Sequence, residues 1–152
     1  MGNLKQSILA GLFSIITIGI LTLLTYKTDF GVFLIASFGS SMVLLFGYPD
    51  SPFAQPKNVF FGHLLTALVG IMFLKFIPLP IFITIPLAVG FGVGLMILFN
   101  VTHPPAGGNP IIVIIGGVSF EYLLSPVISG SIIIIIFAIV LNRLILKKND
   151  PS

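Results

Sequence analysis

The chain has no cysteine, no tryptophan and little charge of either sign, with seven Lys and Arg and four Asp and Glu among 152 residues. Each shortage excludes something. Without cysteine there is no disulfide, no iron–sulfur cluster and no thiolate zinc site, and the redox compartment is not legible. Charged residues make up 7% of the chain, against about 25% in a soluble domain. Such a chain cannot cover its own surface with groups that water solvates. The net charge of +3 comes from scattered basic residues, which read as membrane-end anchors and not as a nucleic-acid surface.

What is present is apolar: 57% hydrophobic residues and a mean hydropathy of +1.20. Lipid solvates such side chains directly. One bilayer crossing takes roughly 20 apolar residues, which leaves room for four to six membrane segments and short loops. The sequence therefore predicts an all-α fold, a polytopic transmembrane helical bundle with interrupted helices, as a single domain over residues 1–152. Apolar segments are expected at about 7–26, 30–48, 58–76, 81–99 and 122–142. A shorter one at 107–120 is either a half-helix or a short crossing. The β-branched run Ile132 to Ile136 would suggest a strand in water. In lipid the backbone must satisfy itself, so the run reads as helix.

The first segment is too long for a signal-peptide core, and Tyr26-Lys27-Thr28-Asp29 after it is not a small-residue cleavage site, so it is read as a retained span. Lys5 before the first segment and Arg143, Lys147 and Lys148 after the last place both termini in the cytoplasm, with an even number of crossings. Lys27 and Lys75 weigh against this with one charge each. A bundle this small barely encloses a pathway by itself, so a homo-oligomer in the lipid bilayer is expected.

Two interruptions carry the polar and helix-breaking residues. The first runs from Pro49 to Asn58 and holds Ser51, Gln55 and three prolines, which cannot continue a helix. The second is Asn100-Val101-Thr102-His103-Pro104-Pro105-Ala106-Gly107-Gly108-Asn109-Pro110. Asn109 before Pro110 has the form of a helix N-cap and first helical residue. With Gly107 and Gly108 open to close approach, this helix start is either an anion seat or a plain surface loop. His103 is a proton carrier, a substrate donor, or a loop histidine bonded to backbone. His63 lies about five residues into an apolar segment, where an ionisable side chain is a functional candidate by default. It sits beside Gly62, Thr66 and Gly70, a small-residue ridge at spacing four. The alternative reading is a hydrogen bond across that ridge to a neighbouring helix. Asp50 and Ser51 are placed to cap a short turn at Pro52. A weak internal repeat relates Ser51-Pro52-Phe53-Ala54 to His103-Pro104-Pro105-Ala106, as in transporters that pair two interrupted segments around a site.

No metalloprotease, nucleophile-elbow or nucleotide-loop motif occurs, so no enzyme, metal site or cofactor is expected.

The blocks His103-Pro104-Pro105-Ala106-Gly107, Phe38-Gly39-Ser40-Ser41, Ser51-Pro52-x-Ala54-Gln55-Pro56-x-Asn58, Gly62-His63 and Tyr122-Leu123-Leu124-Ser125-Pro126-Val127 together resemble the HPP family of integral membrane proteins, over roughly residues 37–130. The resemblance implies four membrane-spanning helices and a transport role, with nitrite transport associated with plant and cyanobacterial relatives. Two departures touch the candidate site. Gly108-Asn109-Pro110 stands where relatives continue with alanine and threonine, and Phe120-Glu121 stands where a tryptophan often precedes the Tyr-Leu block. The reading is a transporter or channel for a small anion, with nitrite a candidate. Its expected substrate-binding residues are His103, Gly107, Gly108, Asn109, His63, Ser51, Gln55 and Asn58, with the histidines carrying a coupled proton. The alternative is a non-transporting membrane subunit or sensor partner.

Overall fold

A computed structural model describes residues 4–145. Lys147 and Lys148, on which part of the orientation argument rests, lie outside the described residues.

The chain folds as α1 (Leu4–Lys27), α2 (Ala36–Met42), α3 (Pro56–Phe76), α4 (Ile81–Leu98), α5 (Asn109–Gly116) and α6 (Ser129–Val140). Wide π-type turns extend α2 over Val43–Gly47 and flank α6 over Leu123–Ile128 and Leu141–Ile145. Short 3-10 turns, Pro52–Ala54 and Pro104–Gly108, precede α3 and α5. Among the described residues, four helical stretches are long and apolar enough to cross a membrane: Leu4–Lys27, Pro56–Phe76, Ile81–Leu98 and Leu123–Arg143.

Cross-chain contacts fix the direction of every pass. Gln6 donates to the Gly47 carbonyl at 2.8 Å and Asn142 to the Leu45 carbonyl at 2.7 Å, so both described ends of the chain share one end of the bundle with the end of α2. At the opposite end Thr25 meets Phe33 and Leu34, and Ser125 donates to the Val32 carbonyl. Glu121 lies there too, held below the usual carboxylate range by the Ser119 hydroxyl and, to a lesser degree, by nearby Lys75. The α5 helix runs beside α3 in the same direction, with Ala106 at the level of Gly62 and Pro110 at Gly70. The chain thus reverses five times and passes through the bundle six times, an even number.

Two passes are not ordinary spans, for local reasons. The expected helix 30–48 begins only at Ala36, because 31–35 is irregular, with Gly31 at φ +121 and Ile35 extended. In lipid a bare extended backbone leaves donors unpaired at high cost. Here the Thr25 hydroxyl accepts from the Phe33 and Leu34 N–H groups at 3.0 and 3.2 Å. The short segment expected at 107–120 is a 3-10 turn plus an eight-residue helix. It stops where Gly117 takes φ +59 and its N–H caps the Val113 carbonyl, a conformation costly for other residues.

The core centres on α3, whose buried residues include Asn58, Gly62, His63, Thr66, Gly70 and Ile71. Around it pack Phe38, Met42, Phe46, Val113, Val127 and Ile134. By contrast α1 buries only Phe13, Thr17 and Leu21. Gly90 and Gly94 of α4 face outward with open space around them.

Candidate functional site

The two interruptions meet inside the bundle. The ridge Gly62-Thr66-Gly70 on α3 is the seat. A Cβ on Gly62 would stand 2.9 Å from the His103 Cβ and 3.1 Å from the Val101 carbonyl oxygen, and one on Gly70 would stand 2.9 Å from the Pro110 Cα. Hydrogen at these positions lets the His-Pro-Pro segment and α5 lie directly on the α3 backbone.

On this seat His63 and His103 are both fully buried, with ring centroids 5.0 Å apart and planes at 63°. The Ser41 hydroxyl from α2 stands between them, 3.1 Å from His63 Nε2 and 2.8 Å from His103 Nε2. His103 Nδ1 is 2.8 Å from the Phe53 carbonyl oxygen, in the 3-10 turn of the first interruption. The Asn109 Nδ2 lies 3.1 Å from each of His63 Nδ1, the His63 carbonyl oxygen and Thr66 Oγ1. Its Oδ1 accepts from the Ser37 hydroxyl at 2.7 Å. Phe38 presents its ring edge-on to His63 at 5.0 Å.

Two backbone carbonyls determine where the hydrogens sit, because a carbonyl only accepts. The Phe53 carbonyl requires a hydrogen on His103 Nδ1, which leaves Nε2 bare. The His63 carbonyl requires the amide nitrogen of Asn109, not its oxygen, on that side. That nitrogen shares two hydrogens among three acceptors and accepts nothing itself, so His63 Nδ1, which faces it, is bare and the His63 hydrogen sits on Nε2. The chain then runs one way: Asn109 to His63, His63 Nε2–H to Ser41, Ser41 O–H to His103 Nε2, and His103 Nδ1–H to Phe53. The Ser41 hydroxyl has a second acceptor in the Ser37 carbonyl at 3.1 Å. The two imidazoles hold opposite tautomers and every ring nitrogen has a partner.

Of the residues expected at a site, His63, His103 and Asn109 come together. Asn109 departs from its expected role. It is already helical, at φ −60° and ψ −41°, and caps nothing with its side chain. The N–H fan expected at Gly107, Gly108 and Asn109 is absent for the same reason: the helical run starts at Pro104. Its first two residues are prolines without N–H groups, Ala106 donates to the His103 carbonyl at 2.9 Å, and the Asn109 N–H is spent on the Ala106 carbonyl. Gly107 and Gly108 are half-buried. Ser51, Gln55 and Asn58 shape the first interruption. Ser51 caps the Phe53 N–H at 3.3 Å, Asn58 donates to the Pro52 carbonyl at 2.9 Å, and Gln55 is the half-buried residue before α3. Their product is the placement of the Phe53 carbonyl.

Sequence reading missed Ser41, Ser37 and the hydrogen-bonding role of Thr66. The available signal was the pair of serines at spacing four in an otherwise apolar segment, which puts both hydroxyls on one helix face.

The resemblance between the two proline motifs is structural as well. In each, an extended residue (Ser51 or His103) leads into a 3-10 turn and then into a helix, α3 or α5. These helices lie side by side and point the same way.

Together these features define a class: a polytopic helical membrane protein whose interrupted segments converge on a buried histidine pair. Residues 1–151 match the transmembrane region of the HPP family, and the chain belongs to that family. It is similar to two transmembrane proteins of Dictyostelium discoideum. One is 35% identical over 125 residues, covering 78% of this chain and 44% of the relative. The other is 33% identical over 148 residues, covering 91% of this chain and 48% of the relative. The chain thus spans less than half the length of these curated relatives. No solved structure matches.

Proposed function

We propose that the protein transports a small anion across the membrane, with a proton carried by the His63–Ser41–His103 chain. The observation that carries this reading is Ser41 bridging two fully buried imidazoles at 3.1 and 2.8 Å. Ionisable side chains inside a membrane bundle are expensive and mark ion or proton pathways. Interrupted segments meeting around a central site are the usual build of a secondary transporter. The anion as cargo rests on the family resemblance, and nitrite is its first candidate. The small size of the bundle favours a homo-oligomer. With Lys5, Lys57 and Arg143 at the end holding the histidines, against Lys27 and Lys75 at the other, that end and both termini are cytoplasmic.

One observation favours a second reading, a non-transporting membrane subunit. The imidazoles are packed to zero exposure with all their nitrogens paired, as in a rigid structural core. Nitrite uptake into proteoliposomes separates the two. The wild type takes up nitrite faster with an inward proton gradient, and His63→Ala with His103→Ala lowers uptake by about tenfold or more, because the hydrogen-bonded links act as one network. Wild-type vesicles no faster than protein-free ones would leave the subunit reading in place.

A further inference from the structure

We infer that the groove between α1 and α2 seats one zwitterionic phospholipid, its acyl chain along Gly11 and Gly39 and its headgroup at Tyr48, Asp50 and Ser51. The groove has a volume of about 820 Å³, within the range of small-molecule sites, roughly 300–1,000 Å³. It lies apart from the histidines. Ser37, Phe38 and Ser41 of α2 are buried toward them, while Gly39 and Val43 are exposed and line the groove. The two walls are tied at both ends, by Gln6 on the Gly47 carbonyl and by Thr25 on the Phe33 and Leu34 N–H groups. Hydrogen in place of side chains keeps the trough open between these ties. A Cβ on Gly11, Gly39 or Gly47 would meet nothing within 4 Å, and larger side chains there would fill the space.

Polarity and depth identify the occupant. At the end where Gln6 meets Gly47, the lining residues are Tyr48, Asp50 and Ser51. Hydroxyls donate to a phosphate, and a carboxylate takes an ammonium. Lys5, in the first turn of α1, brings the opposite charge to the same end. Deeper in, the lining passes to Ala10, Met42, Val43 and Ile18. The Ser14 hydroxyl among them is bonded to the Ala10 carbonyl at 2.7 Å. The groove therefore has one polar mouth and one apolar end. On α1 it runs from Gln6 to Ile18, about 18 Å at ~1.5 Å per residue. That is near the depth of one leaflet in a hydrocarbon core roughly 30 Å thick. A spanning helix of a second copy would be apolar across the full thickness and would follow α1 on toward Lys27, past the end of the groove. A lipid with its head at the mouth and its chain directed inward matches both the length and the polarity.

The test is native mass spectrometry of the full chain in mild detergent, titrated with phosphatidylethanolamine or with phosphatidylglycerol of the same acyl chains. The wild type is expected to retain one phosphatidylethanolamine per chain. It is expected to hold that lipid about two- to fivefold more tightly than phosphatidylglycerol, the worth of an exposed charge contact. Gly39→Leu and Gly11→Leu fill the trough from opposite walls. Each is expected to lose the bound lipid with no fall in the unfolding midpoint measured without lipid. Asp50→Asn is expected to keep a lipid and lose the preference between the two heads. Gly90→Leu, on the outward face of α4, is expected to bind as the wild type does. No lipid on the wild type, undiminished lipid on both trough-filling variants, equal affinity for the two heads, or loss of lipid in Gly90→Leu as well overturns the lipid seat. So does a wild-type dimer that either trough-filling variant turns into a monomer, because the groove then holds a second copy. Nitrite uptake enters none of these readouts, so the seat and the transport reading fail separately.

Discussion

Ser41 illustrates how much one side chain carries. A buried imidazole nitrogen without a partner costs about 1–3 kcal/mol, and this hydroxyl serves two of them at once. Ser41→Ala strips the partner from His63 Nε2–H and His103 Nε2 together. The expected loss is about 2–6 kcal/mol of stability, from the same cost per group, while Ser41→Thr keeps the hydroxyl and loses less. Thermal unfolding in one detergent, compared across the two variants, reads the difference; equal midpoints for wild type and Ser41→Ala would place the histidines in other contacts. Apart from the spacing of Ser37 and Ser41, no serine of α2 announces this role. In the sequence each looks like a small residue suited to helix packing, and only the fold brings residue 41 within bonding distance of residues 63 and 103.

At the level of elements, the ridge on α3 decides what can lie against it. The sequence marks Gly62, Thr66 and Gly70 by spacing, but equally marks Gly90 and Gly94, and spacing does not say which ridge is occupied. The structure puts the His-Pro-Pro segment on the first and leaves the second open. Gly62→Ala forces the new methyl against the His103 Cβ and the Val101 carbonyl, and is expected to cost about 1–3 kcal/mol as overpacking. Gly90→Ala meets nothing and is expected to be neutral or to stabilise by up to about 1 kcal/mol through helix propensity. Detergent unfolding midpoints check the pair. The start of the segment at Pro104 shows why a cap motif is fallible: Asn109-Pro110 has the right residues, but Pro104 and Pro105 start the turn five residues earlier, which frees the Asn109 side chain for His63.

For the whole molecule, topology follows from six antiparallel or side-by-side passes, with the α1–α2 and α5–α6 reversals pinned by Thr25 and Ser125. The absence of cysteine gives a clean background for single-cysteine labelling. Cysteines at Asp50 and Gln55 are expected to react with an impermeant reagent from one side of sealed vesicles, and those at Asp29 and Ser119 from the other. The first pair is expected to face the cytoplasm. Labelling of Asp50 and Ser119 from the same side would mean that the 104–116 segment re-enters without passing through.

The sequence alone determined the environment, the helical class and the places where helices break, because hydropathy and proline chemistry act locally and need no knowledge of neighbours. It also singled out both histidines, since an ionisable group in an apolar run stands out against its surroundings. What only the tertiary structure decided was their common partner, the tautomer each holds and the use of Asn109. Those depend on residues 37, 41, 53, 63, 66, 103 and 109 meeting at hydrogen-bond distance, and such convergence is set by helix packing across tens of residues of chain, which no local pattern records.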